Sequence, residues 1–357
     1  MNKLPLSHFH TQHAVACIEL AGYEVPAYYR DLAEEFEISR TLAITDRSFV
    51  GKLRVFGKDR IALLHRLTTN EMRYLKVGEG IVNIFTNAKG RVVDVVEMFM
   101  DTESIFMLTS PGRTAILKAW IEKYTFLEEV RCEEVTSQYG VIAFLGKNSS
   151  ARLQALFGGN VENLPSQHAQ TFDWNNERVI VHRSGHLTPA AFHLIVPAAV
   201  TTQLWERLTS EIKPVGYSAY EMLRIHRGLP AVGKEITEEY NPHEVGLYPF
   251  INFEKGCYIG QEVIARLDTY QKVQRQLVGL NLETEVDSNK DWHGANAPIF
   301  VGDQHAGQLS SVCFSPSLGH AIGLGVVRKP FATPEARVEI RWPERAVVAS
   351  IQQLPFV

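Results

Sequence analysis

The sequence of 357 residues lacks an excess of positive charge, a long apolar run and a cluster of cysteines. Lysine and arginine total 36 against 40 aspartate and glutamate residues, which gives a formal net charge of −4. That balance does not provide the broad basic surface that neutralises a nucleic-acid backbone. The longest apolar runs, such as Val141–Leu145, also fall far short of the ~20 residues that cross a bilayer. We therefore expect neither a nucleic-acid partner nor a membrane span.

The first thirty residues lack the basic start and apolar block of a leader peptide, so a cytoplasmic location is expected. Cys17, Cys132, Cys257 and Cys313 show no spacing typical of a disulfide framework. Because an iron–sulfur cluster usually needs four grouped thiolates, these scattered cysteines are not expected to hold one. The sequence thus predicts free thiols in a reducing compartment.

A zinc site is also not expected from the histidines. His182 and His186 lie four residues apart, which is the spacing of zinc ligands on a helix. However, the segment RVIVHR is typical of a strand, and Gly185 follows it, so the two side chains would not face one ion. The sequence therefore predicts no metal site.

Hairpins and helices alternate through the first two thirds of the sequence. Ile81–Thr86 and Arg91–Met100 predict two strands joined by NAKG, in which Gly90 supplies the positive φ that a hairpin turn requires. Ser110 and Pro111 are typical of the N-cap and first turn of the helix that follows. This mixture favours an α+β fold.

The last eighty residues have a different pattern. A helix over Tyr220–Arg227, ended by Gly228, precedes them. From about Leu277 onward, short alternating segments are separated by Gly, Pro and Asp, which is typical of a small all-β domain. We predict two domains, residues 1–275 and residues 276–357.

The most distinctive motif is KGCYIGQE, residues 255–262. Cys257 would lie just before a helix and two residues from Lys255, where positive potential favours the thiolate. Gly256 and Gly260 would allow a ligand to approach the backbone closely. The alternative is that Cys257 packs as a small apolar residue while the glycines only shape a turn.

Asp94 interrupts an apolar row of the predicted hairpin. Alternation places Asp94 on one face with Val92, Val96 and Met98. A carboxylate there must be paired, hydrogen-bonded or directed at a ligand, because desolvating it alone is costly. The alternative is an edge strand with both faces partly wet.

Arg224 and Arg227 lie three residues apart on the predicted helix, so they project from one side of it. An arginine fork suits a carboxylate, such as that of a glutamyl tail. The alternative is a solvated basic face.

The motif KGCYIGQE resembles the signature of the YgfZ-type folate-binding proteins. These are relatives of the glycine cleavage system T-protein, an aminomethyltransferase, and are linked to assembly and repair of iron–sulfur clusters. The similarity begins near Thr45 and includes NAKGRVVD, LRIHRGLPAVGKE and GQLSSVCFSPSLGHAIGLG. The resemblance implies a three-lobed fold around a central cavity that receives tetrahydrofolate, with a small C-terminal β-barrel.

The resemblance also implies roles for individual residues. Cys257 and Asp94 would supply the chemistry. The residues that would hold folate are Asp94, Arg224, Lys255, Tyr258 and Gln261. Two positions depart from the T-protein pattern: Val95 replaces a second acid, and His186 and Pro189 occupy the stretch after Gly185 where another acid is expected.

Three hypotheses follow. The first is a tetrahydrofolate-binding accessory protein for iron–sulfur client or assembly proteins, in which Cys257 makes a transient bond to sulfur, iron or a partner thiol. The second is a folate-dependent aminomethyltransferase or demethylase, in which Asp94 positions charge during one-carbon transfer. The third is an adaptor that kept the T-protein shape without binding a ligand.

Overall fold

The structure of the chain is a computed structural model. It describes residues 2–185, 188–270, 272–283 and 296–356. His186, which entered the zinc argument and the comparison with the T-protein pattern, lies outside the described residues.

Eight α-helices lie within the described residues. In chain order they are α1 (Ser7–His13), α2 (Leu32–Thr41), α3 (Arg60–Leu67), α4 (Thr114–Lys123), α5 (Ser149–Phe157), α6 (Ala198–Thr209), α7 (Tyr217–His226) and α8 (Gln261–Thr269). None of them is long and apolar enough to cross a membrane.

The strands of the first 200 residues alternate with these helices. They are β1 (Ala16–Leu20), β2 (Tyr23–Tyr28), β3 (Ala43–Asp46), β4 (Gly51–Phe56), β5 (Gly80–Thr86), β6 (Val92–Met100), β7 (Ser104–Thr109), β8 (Arg131–Glu134), β9 (Tyr139–Leu145), β10 (Ala169–Trp174), β11 (Glu177–Arg183) and β12 (Phe192–Pro197). The C-terminal strands follow α8. They are β13 (Arg275–Leu282), β14 (Ala297–Val301), β15 (Gln304–Ser315), β16 (His320–Arg328), β17 (Arg337–Trp342) and β18 (Arg345–Gln352).

The chain divides into two compact units. The first contains Met1–Phe85, Asp94–Tyr220 and Glu254–Tyr258. The second contains Thr86–Val93, Glu221–Phe253 and Ile259–Val357. This division differs from the predicted domains, because the hairpin tip and the segment after α7 group with the C-terminal strands. The predicted domain boundary between residues 275 and 276 stays a prediction.

The first unit contains a two-stranded sheet, β1-β2, and two five-stranded sheets. Their strand orders are β5-β6-β7-β4-β8 and β10-β11-β12-β9-β3. One apolar cluster joins the two, because Phe99 and Phe106 of the first sheet pack in it with Val141 and Ile195 of the second. Strand β6 is therefore an interior strand with one face against another sheet. The edge-strand alternative for Asp94 is wrong.

Helix α6 packs on the second sheet because of its apolar spacing. Leu204, Trp205 and Leu208 are fully buried and follow the i, i+1, i+4 pattern of one helix face. They share a core with Phe144 of β9 and Phe192 of β12. Burying each of these side chains contributes about 1.5–3 kcal/mol, so this face holds the helix on the sheet.

The second unit contains a closed barrel with the strand order β13-β16-β15-β14-β17-β18. Its core is lined by alternate residues of the strands, among them Leu280, Ile299, Leu309 and Ile340, which are all fully buried. Closure leaves no sheet edge exposed to pairing with another chain. The predicted small C-terminal β-barrel is confirmed.

Local sequence patterns predicted the hairpin correctly but placed the start of one helix wrongly. Strands β5 and β6 are joined at NAKG, and Gly90 has φ +67°. Helix α4 begins at Thr114 with Arg113 as its N-cap, whereas Ser110 was predicted as the cap. The chain first makes a turn, in which the Arg113 amide donates to the Ser110 carbonyl oxygen at 3.1 Å and Gly112 has φ +74°, so the helix cannot begin before Arg113.

Candidate functional site

Asp94 lies in the interior of β6 and is fully buried. Its Oδ1 accepts a hydrogen bond from the Val95 amide at 2.8 Å. Its Oδ2 accepts one from the Ser110 amide at 3.2 Å, at the end of β7. The connection between β7 and α4 thus provides a backbone amide that binds the carboxylate in an otherwise apolar row of β6.

Burial dominates the protonation of Asp94. Desolvation raises the pKa of this carboxyl from 3.8 to about 6, although the hydrogen bonds from Ser110 and Val95 and the charge of Arg113 act in the opposite direction. A carboxyl with a pKa near neutrality can exist in either protonation state at the pH of the cell. It is therefore suited to receiving or giving a proton.

Lys255 fastens the start of the KGCYIGQE loop to the end of α3. Its Nζ donates to the carbonyl oxygens of His65, Thr68 and Asn70 at 2.6, 2.6 and 2.9 Å. An ammonium group at the C-terminal end of a helix satisfies carbonyls that lack helical partners. Desolvation lowers the pKa of Lys255 to about 7. In the structure, the ammonium group of Lys255 is bonded to these three carbonyl oxygens. A direct contact between Lys255 and folate stays a prediction.

Cys257 is exposed, and so is Cys17. Cys132 and Cys313 are buried, and desolvation raises the pKa of each thiol to about 12. Cys257 therefore does not pack as a small apolar core residue, and that alternative is wrong. Its reactivity stays a prediction.

Tyr258 presents a buried hydroxyl group on the same loop. The side chain is 7% exposed, and its ring lies 5.3 Å from Lys255 Nζ. Among the described residues, the hydroxyl oxygen has no hydrogen-bond partner. Burial raises the pKa of this phenol to about 12, so it is a hydrogen-bond donor at neutral pH. A buried donor of this kind is available to a ligand.

The two glycines of the motif differ in what surrounds them. A Cβ at Gly256 would meet nothing closer than His65 Nε2 at 3.8 Å. Gly260 has φ +85°, and a Cβ there would lie 2.5 Å from the Asn87 carbonyl oxygen of the NAKG turn. The space at Gly260 is thus filled by the protein backbone. Our expectation that a ligand approaches there is wrong.

Gln261 is the first residue of α8, and Gly260 is its N-cap. This confirms that the motif ends in a helix start, as its apolar spacing predicted. The Gln261 side chain is half-buried. Its contact with folate stays a prediction.

Arg224 on α7 is buried in the second unit, with 3% exposure. Its Nη1 donates to Glu235 at 3.0 Å, its Nε donates to Glu221 at 3.1 Å, and its Nη2 donates to Ser311 Oγ at 2.6 Å. Arg227 is exposed, so the two arginines do not form one fork. The solvated-face alternative is wrong for Arg224, and a contact between Arg224 and folate stays a prediction.

The structure brings together Glu97, His182 and His193, a group that the sequence reasoning did not find, because it considered His182 only with His186. The side chain of Glu97 lies on the opposite face of β6 from Asp94, and its Oε1 accepts a hydrogen bond from the Gly185 amide at 3.0 Å. His182 on β11 and His193 on β12 are direct cross-strand partners. The sequence did contain a signal for this group: an acid in the second apolar row of β6, and one histidine in each of two neighbouring strands.

The acid-bearing hairpin strand, the glycine-flanked motif before α8 and the closed C-terminal barrel are features of one α+β protein. Residues 6–255 match the family domain described as the GCVT N-terminal domain. Residues 275–357 match the glycine cleavage T-protein C-terminal barrel domain. The chain therefore belongs to the glycine cleavage T-protein family.

The relatives include proteins named aminomethyltransferase. That of Thermotoga neapolitana is 25% identical over 363 residues, covering 100% of this chain and 98% of the relative. That of Aquifex aeolicus is 29% identical over 356 residues, covering 99% and 95%. A chloroplastic protein of Arabidopsis thaliana is 28% identical over 315 residues, covering 88% of this chain and 71% of the relative.

One solved structure confirms the fold. It is glycine cleavage system aminomethyltransferase T from Bartonella henselae, which aligns with a TM-score of 0.88 at 22% identity. The alignment covers 100% of this chain and 98% of that chain. The α+β fold of the T-protein type, with its C-terminal barrel, is thus the fold of this protein.

Proposed function

We propose that the protein is a folate-dependent one-carbon transferase of the aminomethyltransferase type, with Asp94 as its central acidic residue. The observation that supports this most directly is the complete burial of the Asp94 carboxyl, which accepts hydrogen bonds from two backbone amides. A fully buried carboxyl whose pKa lies at about 6 can hold or release a proton near neutral pH. Val95 stands where a second acid was expected, so Asp94 would act alone.

Similarity over the full length supports the proposal independently. The aminomethyltransferases of Thermotoga neapolitana and Aquifex aeolicus match nearly all of this chain with nearly all of their own length. This agreement favours the transferase over the accessory role that the motif KGCYIGQE first suggested. For this chain the transferase activity is a proposal, because relatives that are less than 30% identical do not define its substrate.

The polar groups of Tyr258 and Asp94 suit a pterin ring in chemical type. A pterin offers carbonyl and ring-nitrogen acceptors as well as N–H donors. The buried Tyr258 hydroxyl is a donor without a described partner, and Asp94 is an acceptor when ionised. Tyr258 and Asp94, both in the first unit, are the residues that we assign to tetrahydrofolate. Lys255 would act indirectly, by fixing the loop that carries Tyr258.

In aminomethyl transfer, a folate nitrogen attacks the methylene carbon of the donor and the bond from that carbon to its carrier breaks. Loss of ammonia as a second folate nitrogen attacks then gives methylene-tetrahydrofolate, without any net oxidation. Ionised Asp94 would stabilise the positive charge that develops on the attacking nitrogen, and it would then accept the proton that this nitrogen loses. Burial strengthens this electrostatic contribution, since little water screens the charge.

The decisive experiment combines binding and turnover. Calorimetry with tetrahydrofolate should give a binding isotherm, and product assays should detect methylene-tetrahydrofolate from aminomethyl donors. Asp94→Asn should retain folate binding within about tenfold and lose turnover by at least about 100-fold, the usual range for a proton-transfer group. Asp173→Asn, which changes an exposed acid in β10, is the matched control. Absence of folate binding by the wild-type protein would overturn the proposal.

A second candidate function rests on the exposure of Cys257. Cys257 is open to solvent at the start of a glycine-flanked loop, whereas Cys132 and Cys313 are buried. An exposed thiol can form a transient bond to sulfur, iron or a partner thiol, as an accessory role in iron–sulfur assembly or repair requires. Cys257→Ser should then fail to restore iron–sulfur enzyme activities in a strain lacking the gene, while Cys17→Ser restores them. Equal rescue by both variants would exclude this role.

A further inference from the structure

We propose that Glu97, His182 and His193 bind a divalent transition-metal ion of the zinc class. Neither the family match nor the proposed transfer reaction assigns a role to these side chains. All three lie in the first unit, on β6, β11 and β12. They are the one group of three or more potential ligands that converges within the described residues.

The spacing of the ligand atoms suits one ion. Glu97 Oε2 lies 3.6 Å from His182 Nδ1 and 3.5 Å from His193 Nδ1. All three ligand atoms lie within 4.8 Å of one another. Zinc–nitrogen and zinc–oxygen bonds of about 2.0–2.2 Å put neighbouring ligands about 3.3–3.6 Å apart in a tetrahedral site. The two measured separations fall in or at the edge of that range.

The same separations are too long for good hydrogen bonds. His182 is fully buried, yet neither of its ring nitrogens has a hydrogen-bond partner among the described residues. Glu97 Oε2 also has none. Leaving a buried imidazole and a carboxylate oxygen unsatisfied is costly, and a bound cation would satisfy both. These unsatisfied atoms are the independent indication that a ligand belongs here.

The surrounding residues hold the three side chains in place. The Gly185 amide donates to Glu97 Oε1 at 3.0 Å, which leaves Oε2 directed toward the histidines. The ring of Phe99 stacks on His182 with centroids 5.3 Å apart. Ser184 Oγ lies 3.0 Å from His193 Nδ1, so its oxygen could complete the shell once the ion takes that nitrogen. Such outer contacts orient ligands and tune metal affinity.

The donor set selects the class of ion. Two imidazoles and one carboxylate suit zinc, cobalt, nickel or ferrous iron, whereas calcium and magnesium prefer sites made of oxygen alone. No thiol takes part, so copper(I) and iron–sulfur clusters do not fit. Three protein ligands leave at least one coordination position for Ser184 or a small molecule. The side chains of Glu97 and His193 are 11% and 8% exposed, which gives an ion a side from which to enter.

The test uses the full-length protein after treatment with a chelator. Cobalt(II) should bind with one equivalent and produce the visible absorption bands of a four- or five-coordinate site, and zinc should displace it. Glu97→Gln and His193→Gln should each weaken cobalt binding by at least about 100-fold, because even outer contacts are worth about 10–100-fold. His305→Gln, which removes an exposed histidine, and Cys257→Ser should bind as the wild type does.

Two results would overturn the proposal. One is cobalt binding that is as strong in Glu97→Gln and His193→Gln as in the wild type, and the other is the absence of binding by the wild type. If the variants do not fold, X-ray absorption of the zinc-loaded wild type decides the matter. Two imidazoles with oxygen would support the site, and sulfur in the coordination shell would refute it. Folate calorimetry is a separate readout, so failure here leaves the transferase proposal intact.

Discussion

Replacing Asp94 with asparagine should reverse the order of stability of wild type and variant between low and neutral pH. Asp94 has a pKa of about 6 in the folded protein against 3.8 for an ordinary aspartate. The folded state therefore binds its proton more tightly than the unfolded state does. Stability from this group is fully present below pH 3.8 and is lost as the pH rises through about 6.

The magnitude follows from the two pKa values. A difference of about two units corresponds to about 3 kcal/mol of unfolding free energy that the wild type loses across this window. Asparagine does not titrate, but it accepts only through one oxygen, so one of the amides of Val95 and Ser110 faces its NH₂ group. That mismatch costs about 1–2 kcal/mol at every pH. The variant should be less stable than the wild type near pH 4 and more stable above pH 7.

The assay is urea unfolding at pH 4, 5.5 and 7.5, followed by hydrogen exchange in peptides from β6 and β7. This local readout reports the unit that contains Asp94, since the two units can unfold in separate transitions. Asp173→Asn gives the baseline for neutralising an exposed acid. The reasoning would be refuted if the unfolding free energy of Asp94→Asn minus that of the wild type stayed constant, or decreased, as the pH rises.

Three other predictions concern the KGCYIGQE loop. Lys255→Met should lower the unfolding free energy by about 1–3 kcal/mol because three buried carbonyls lose their donor, and Lys255→Arg should lower it less in the same urea titration. Gly260→Ala should destabilise by at least about 1 kcal/mol through its positive φ and its backbone clash, whereas Gly256→Ala should be nearly neutral in thermal unfolding. Alkylation of the folded protein, read by mass spectrometry, should label Cys257 and leave Cys132 unmodified; equal labelling would contradict the burial.

Local periodicity predicted the elements that depend on local chemistry. The hairpin of β5 and β6 follows from alternation over residues 81–100 and from Gly90, whose positive φ any hairpin turn of this kind needs. The barrel follows because each of its strands carries its own alternation. Ser110 was placed wrongly because the chain turns between Ser110 and Arg113, where Gly112 has φ +74°, and α4 begins only at Thr114. The preference of Ser and Pro for a helix start does not reveal that extra turn.

From the sequence, a candidate site residue could be predicted only where a polar residue interrupts the apolar row of its own strand. Asp94 could be found because a carboxylate in a buried apolar row requires hydrogen-bond partners. The structure provides them as the amides of Val95 and Ser110. Glu97 and His182 could not be joined from sequence, because their proximity depends on how two sheets pack together. His193 required the register of β11 and β12, in which it lies directly opposite His182.

Strand β6 thus presents a buried acid, Asp94, and a partly buried acid, Glu97, to two different environments. Asp94 and Glu97 are three residues apart, and because side chains alternate with a period of two, they lie on opposite faces of the sheet. Asp94 meets backbone amides, and the role that we propose for it depends on a proton, while Glu97 meets two imidazoles, and the role that we propose for it depends on a cation. The two roles should therefore separate under mutation: Asp94→Asn should impair turnover while metal affinity is kept, and Glu97→Gln should do the reverse. A strong non-additive effect of the double variant on either readout would mean that the two faces share one site.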